Sequence, residues 1–451
     1  MNGLLERLPS KRLNQVQFIA LGFFLIIIFG ALMLMLPISS RTGEWTNFLD
    51  ALFTSTSATC VTGLIVVDTF THWSIFGQII IISLIQVGGM GFLTIAVGFA
   101  MLFRQKIGLR QRDLLKESVN AMEIGGIVRL AKKIIAGTVI IEAIGAILLF
   151  IRFFPEYGFL KAAYYGIFHS ISAFCNAGFD LMGYQTPYNS LCSYVGDPII
   201  NLTICGLIII GGLGFVVWDE LIKKKYHWKK YSLHTKLVIS CTIVLIVAGT
   251  VLLYIFEYNN TLEGLSLQEK FFASLFGAIT PRTAGFNTVD TAALNSSSKF
   301  LSIILMFIGG SPGSTAGGAK TTTVVVMFIY ILSNLRNTSG SNVFHRSIGS
   351  EIIKKAAMVI LLNLTLVLAG TIIILATNDF GTEDVLFEVV SGICTVGMTT
   401  GITRELNIIG RIVIIFLMYC GRIGSMTFAL SLLKRPNEQM TKLPEEKISI
   451  G

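Results

Sequence analysis

The chain alternates long and short apolar runs. The long ones are Val16–Leu36, Ile75–Phe103, Ile134–Phe154, Ile199–Trp218, Leu237–Phe256, Phe300–Leu332, Ala356–Ala376 and Ile408–Leu433. Each holds about 20 residues or more, enough for a helix to cross a bilayer core. Four shorter runs, Phe48–Ala58, Leu160–Ala173, Leu267–Thr280 and Thr382–Ile393, each sit between two long ones and are too short to cross. The order long span, short helix, polar loop, long span therefore occurs four times. It predicts an all-α polytopic membrane protein with eight spans and four re-entrant helices. The repeat units are 16–103, 134–218, 237–332 and 356–433, joined by linkers 104–133, 219–236 and 333–355 and flanked by a leader 1–15 and a tail 434–451.

Each short run leads into a polar segment that ends in glycine. Phe53, Ser57, Ala58, Cys60 and Gly63 recur at fixed offsets as Phe168, Ser172, Ala173, Cys175 and Gly178, and again as Phe387, Ser391, Gly392, Cys394 and Gly397. The remaining copy is looser and ends Thr283-Ala284-Gly285-Phe286, but Val289-Asp290-Thr291 follow Gly285 as Val67-Asp68-Thr69 follow Gly63. A period this regular means one structural unit used four times.

Non-helical backbone at membrane depth survives only when buried in protein or lining water. Four such loops therefore point to one shared axis, with pseudo-fourfold symmetry around a central pore. Rings of backbone carbonyls replace the hydration shell of a monovalent cation. The candidates are Val61-Thr62-Gly63, Asn176-Ala177-Gly178, Thr283-Ala284-Gly285 and Thr395-Val396-Gly397. Packing of helix pairs through small residues explains glycines inside spans, but not a glycine repeated after each half-length helix.

The second spans carry a further repeat. Gly88-Gly89-Met90-Gly91 matches Gly211-Gly212-Leu213-Gly214; the third copy becomes Gly309-Gly310-Ser311-Pro312-Gly313-Ser314-Thr315-Ala316-Gly317-Gly318-Ala319-Lys320. Its glycines and proline cannot sustain a straight helix, so 309–319 is expected to break at mid-membrane and to act as a gate. In the fourth copy, Gly421-Arg422-Ile423-Gly424, an arginine replaces the second glycine. A charge inside a span is costly and by default functional. Arg422 either contacts the gating loop or pairs with Glu142, the only carboxylate well inside a span.

Composition agrees with the pattern. Of 451 residues, 53% are hydrophobic and 14% charged. The formal charge of +9 would suit nucleic acid, but its distribution suits topology: 25 of 35 Lys and Arg lie in the leader, the three linkers and the tail. Positive loops stay cytoplasmic, so both termini are placed inside. Asp50, Asp68, Asp180, Asp197, Asp290, Glu383, Asp384 and Glu388 fall on the outer side, where they are either an acidic vestibule or ordinary solvated charge; Asp68 and Asp290, at the same offset from their glycines, are expected to cap or brace the loops. Seven Cys and five His fit no disulfide framework or metal-ligand spacing. No nucleophile–base pair stands out, and no enzymatic activity is expected.

These residues resemble the Trk/Ktr/HKT superfamily of potassium transporters, most closely the KtrB type of membrane subunit. The resemblance rests on Gly63, Gly178, Gly285, Gly397, the broken helix at Gly309–Ala319 and Arg422, and the single leader before Val16 favours the Ktr type. It implies a homodimer in the bacterial plasma membrane, seated on a cytoplasmic RCK-type regulatory ring (KtrA or KtrC) that binds ATP or ADP. It also implies sodium-dependent potassium uptake, and Gly63, where some relatives carry serine, favours potassium. A less selective sodium/potassium translocator, a coupled secondary transporter for another solute and a membrane scaffold are the competing readings.

Overall fold

The computed structural model describes residues 15–103, 105, 107–118, 125–184, 186–225, 227–337, 340–425 and 428. All but the last residue of the expected leader, and the whole expected tail, lie outside the described residues. The first unit is α1 (Gln15–Met35), α2 (Phe48–Cys60), α3 (Ile75–Met90) and α4 (Phe92–Leu102), followed by α5 (Leu109–Ser118). The second is α6 (Ile127–Phe174), α7 (Pro198–Leu213) and α8 (Phe215–Lys224). The third is α9 (Leu233–Glu257), α10 (Leu267–Ile279), α11 (Ser296–Ile308) and α12 (Thr321–Leu335), with a small antiparallel hairpin of β1 (Asn342–Val343) and β2 (Arg346–Ser347) after it. The fourth is α13 (Ser350–Thr377), α14 (Thr382–Ile393) and α15 (Ile408–Ile423).

α6 contains both the first span and the short helix of its unit. Gly158, at φ 70° and ψ 176°, turns the chain from one to the other, three residues after Pro155. Several helices begin before their apolar runs: α6 at Ile127, α9 at Leu233 and α13 at Ser350. Hydropathy marks only the part in hydrocarbon, whereas backbone hydrogen bonds carry a helix on to its cap. For α9 that cap is Ser232, whose hydroxyl accepts from Thr235 N at 3.3 Å. The expected linker 104–133 is accordingly part helix.

Burial is inverted relative to a water-soluble domain. The long helices expose Leu25, Phe29, Ile151, Val244, Leu361 and Ile372, whereas Thr54, Ser55, Thr56 and Ser57 of α2 are fully buried. Apolar outside and polar inside is the arrangement hydrocarbon demands of a protein with an irregular, polar centre. Among the described residues α1, α6, α9 and α13 are each long and apolar enough to span alone, and α3–α4 and α7–α8 qualify as bent pairs.

The second spans expected over Ile75–Phe103 and Ile199–Trp218 are each a pair of helices bent at a glycine. α3 and α4 meet at 95° and α7 and α8 at 97°. The hinges are Gly91 (φ 79°, ψ 129°) and Gly214 (φ 98°, ψ 138°). Lys320 (φ 78°, ψ 133°) and Gly424 (φ 93°, ψ 125°) take the same conformation ahead of α12 and after α15. All four second helices thus break alike. The third copy of the motif is also re-registered: its last position is Lys320, and the chain from Gly309 to Ala316 is inserted ahead of it. Both halves of α3–α4 are predominantly apolar, so apolar character alone does not distinguish that bent pair from a straight span.

Candidate functional site

The loops after α2, α6, α10 and α14 share one backbone conformation. Val61 (φ 57°), Asn176 (60°), Thr283 (70°) and Thr395 (50°) are left-handed, as are Gly63 (94°), Gly178 (70°), Gly285 (82°) and Gly397 (93°). The residues between them, Thr62, Ala177, Ala284 and Val396, are not. This alternation of hand turns successive peptide dipoles toward the same side. A non-glycine residue held there costs roughly 1–2 kcal/mol, so the surroundings must fix it.

Hydroxyls at a common register supply that support. Ser57 Oγ accepts from Gly63 N at 3.0 Å, and Ser391 Oγ from Gly397 N at 3.1 Å. Ser172 Oγ donates to Phe179 O and Thr280 Oγ1 to Phe286 O, both at 2.7 Å. Thr280 is the brace that the sequence reading missed. It follows Phe276 as Ser57 follows Phe53, but the third loop is one residue shorter between brace and glycine.

The four loops meet in chain order and close on themselves. A Cβ built on Gly63 would lie 3.3 Å from Gly178 Cα; from Gly178 to Gly285 Cα it would be 2.9 Å, from Gly285 to Gly397 Cα 3.2 Å, and from Gly397 to Gly63 Cα 2.9 Å. The same built atoms would strike Ala177 O, Ala284 O, Val396 O and Thr62 O in turn. No side chain fits at these positions.

All twelve residues of the ring are buried, yet among the described residues none of their carbonyls accepts a hydrogen bond. Buried carbonyls are normally paired. A closed ring of unpaired ones is an oxygen-only donor set, suited to a hard cation held by dipoles rather than by charge. No group of three or more His, Cys, Asp or Glu able to hold a metal ion occurs among the described residues.

Segment 309–320 lies directly beneath the ring. A Cβ on Gly317 would come within 2.9 Å of Cys394 O, in the fourth loop. The segment is stitched to the second unit by Ser311 N to Gly212 O (3.0 Å), Thr315 N to Gly211 O (3.3 Å) and Phe215 N to Gly313 O (2.8 Å). Within the segment, Ser314 Oγ donates to Ser311 O at 2.6 Å. Gly309, Gly313 and Gly318 provide the positive φ angles it needs, with Gly310 and Pro312 between them. Arg422 donates to Thr315 O, to Gly88 O and, at 3.3 Å, to Gly89 O. Of the two expected partners the guanidinium thus meets the loop, while Glu142 accepts from Gln86 Nε2 at 3.1 Å. Lys320 Nζ adds a bond to Ala316 O at 2.5 Å. Arg422, Lys320, Gly89, Gly313 and Gly318 line a cavity of about 360 Å³ under the ring.

The acidic outer residues are largely engaged elsewhere. Glu388 is not in the vestibule but fully buried, accepting from Thr399 Oγ1 (2.7 Å) and Thr403 Oγ1 (2.5 Å) behind the fourth loop. Asp50 pairs with Arg411 at 2.5 Å, Asp384 with Lys299 at 3.4 Å and Asp197 with Arg152. Glu383 accepts from Ser296 Oγ at 3.0 Å, and Asp290 from Ala292 N at 3.0 Å. Asp68 accepts from Phe70 N and Thr71 N and, across units, from Tyr188 N at 3.0 Å. Asp180 follows Gly178 by two residues. Burial pushes its carboxyl up to about 7, against the hydrogen bonds from Met182 N and Ser190 and with help from nearby Asp68. Arg282, just ahead of Thr283-Ala284-Gly285, is buried and donates to Thr242 Oγ1 at 3.1 Å.

The family of TrkH cation transport proteins matches residues 14–443. The "Potassium/sodium uptake protein NtpJ" of Enterococcus hirae is 40% identical over 99% of this chain and 100% of its own length. The "Ktr system potassium uptake protein B" of Bacillus subtilis is 42% identical over 98% of this chain and 97% of its own. The crystal structure of the potassium transporter TrkH from Vibrio parahaemolyticus superposes with a TM-score of 0.73, covering 94% of this chain and 86% of that one at 18% identity, which establishes the shared fold. With its apolar outer helices and a family match over nearly its whole length, the chain is a multi-pass membrane protein and belongs to the TrkH family of cation transport proteins.

Proposed function

We propose that this chain carries potassium inward across the bacterial plasma membrane through the ring of carbonyls at 61–63, 176–178, 283–285 and 395–397. The observation that carries the reading is the closed ring of buried, unpaired carbonyls held by four hydroxyl braces. Coordination by dipoles lets an ion enter without a deep well that would trap it. Segment 309–319 is the gate. It lies across the route below the ring, and Arg422 ties it to the first unit through Gly88 and Gly89.

The relatives' names support potassium as the ion. The proposed assembly rests on the family resemblance alone: a homodimer on a cytoplasmic RCK-type ring of the KtrA or KtrC kind, with ATP or ADP on that partner only, both termini of this chain inside, and sodium as the activating or coupled ion. A second reading, a less selective sodium/potassium translocator, is favoured by the name of the Enterococcus relative.

Growth of a potassium-uptake-deficient bacterium at low potassium, with and without the chain and its ring partner, tests the function. Rescue is expected; failure of a correctly inserted pair to rescue overturns the proposal. Sodium competition against rubidium uptake by the unaltered chain separates the two readings. A potassium-selective ring keeps its rubidium uptake in excess sodium, whereas a translocator that passes both ions loses it.

A further inference from the structure

We infer that the cytoplasmic end of α6, with α8 beside it, forms a binding site for one anionic phospholipid. Two adjoining spaces carry the inference. The first, of about 370 Å³, is lined by Gly126, Arg129, Lys133, Asp219 and Lys223. The second, of about 410 Å³, is lined by Ile134, Gly137, Ile140, Ile210, Trp218 and Ile222. Leu130, Lys133 and Asp219 belong to both, so the two are continuous. One end is basic and the other apolar.

The charges leave room for an anion. Lys133 and Lys223 both contact Asp219 at 2.5 Å, so one carboxylate faces two ammonium groups. Arg129 adds a third cation and has no carboxylate partner among the described residues. Three cations against one carboxylate leave an excess of two positive charges. The first turn of α6 opens at the same place. Gly126 precedes it at φ 76°, and no side chain caps its N–H groups.

The apolar end is shaped by the hinge at Gly214. Because α8 turns 97° away from α7, a groove opens between it and α6 instead of a closed helix pair. Trp218 holds one wall by donating Nε1–H to Ile210 O at 2.9 Å. Ile140 and Ile222 on the rim are exposed. Basic pockets between helices on the cytoplasmic side recognise lipid headgroups, and here the phosphodiester would meet Arg129 and Lys223 while an acyl chain fills the groove. Phe215 forms part of this groove and also of the cavity beneath the ring, so the lipid would sit one side chain away from segment 309–319.

The test uses the full chain equilibrated with mixed vesicles of phosphatidylglycerol and phosphatidylcholine in equal amounts. It is then extracted in mild detergent and weighed by native mass spectrometry. Preferential retention of phosphatidylglycerol is expected. Arg129→Gln with Lys223→Gln, both exposed positions, should weaken that preference about fivefold per charge. Gly137→Leu fills the groove beside Trp218 and should reduce retention with every charge in place. Equal retention of the two lipids, or no effect of the double substitution, overturns the site. So does displacement by soluble glycerol phosphate alone, which would mark a free-anion pocket. If Gly137→Leu converts dimer to monomer without loss of lipid, the groove seats a second copy and the inference also fails.

Discussion

The ring and the layer beneath it are built from the same four units and treat their repetition in opposite ways. At the ring each unit contributes the same left-handed, intermediate, left-handed backbone triple and a hydroxyl brace four residues after a phenylalanine. One layer down, the four second helices break with nearly the same dihedrals at Gly91, Gly214, Lys320 and Gly424, but what the units add there differs. The third inserts Gly309–Ala316 and the fourth supplies Arg422. Under the proposed function, equivalent dipoles around an axis coordinate an ion evenly, so repetition would serve selection. A device that opens and closes needs one part that moves and another that holds it, so asymmetry would serve control.

The largest expected effect comes from breaking the ring's equivalence. Gly397→Ala would place a methyl group 2.9 Å from Gly63 Cα, at φ 93°. The conformation alone costs about 1–2 kcal/mol, and the collision is with backbone that cannot yield. Rubidium flux should fall to background while the protein still inserts. Near-normal flux would show that the loops do not close a ring in the working protein.

Breaking the asymmetry of the lower layer should act in the other direction. Arg422→Gln removes charge-assisted bonds to Thr315 O and Gly88 O. Each such bond is worth roughly 1.5–3 kcal/mol, so losing the tether should raise flux about tenfold. Deleting 311–316 should raise it at least as far. A fall in flux on Arg422→Gln with selectivity intact would mean that this arginine supports the pathway rather than the closed loop.

How far the sequence disclosed these layers depends on what each residue depends on. The four glycines were legible because a repeated loop leaves repeated letters, and the start of α14 was legible because Gly381 precedes a first turn carrying Glu383 and Asp384. The hinges at Gly91 and Gly214 were not, since hydropathy is blind to direction. The third unit misled twice. Gly309-Gly310 imitates the paired glycines of the other copies, whereas the dihedrals put Lys320 in register; and a loop one residue short disguised Thr280 as unrelated to Ser57. Glu388 looked like outer charge because the chain that buries it, through Thr399 and Thr403, folds back only after the fourth loop.

The braces offer a smaller test of the ring. Ser57→Ala leaves Gly63 N without its acceptor, at a cost of about 1–3 kcal/mol for a buried donor. Selectivity between potassium and sodium should drop several-fold, with flux retained. Thr280→Val acts on Phe286 O, beyond the glycine, and should change selectivity less. Equal effects would mean that the braces support the whole ring rather than single loops.

The smallest effect is expected just past the second loop, where Asp180 stands at the position that Ile65, Asn287 and Thr399 take in the other units. Asp180 is the carboxyl that follows the second loop, and its pKa is raised by burial to about 7. Below that pH it carries a proton and no charge; above it the carboxylate adds a negative charge close to the ring. Cations within about 8–10 Å feel such a charge through physiological salt. Inward flux at low potassium should therefore rise between pH 6 and pH 8, by about twofold or less. Asp180→Asn should flatten the profile at its low-pH level. The fold responds with the opposite sign, because a raised carboxyl favours the protonated native state. Its contribution to stability is full below its ordinary range near 4 and is lost as pH rises through about 7. A pH rise that increases flux but lowers thermal stability, with both slopes removed by Asp180→Asn, assigns the two effects to one carboxyl. Flux that falls with pH, or a slope that survives the substitution, would place the titrating group elsewhere and leave the outer mouth electrostatically passive.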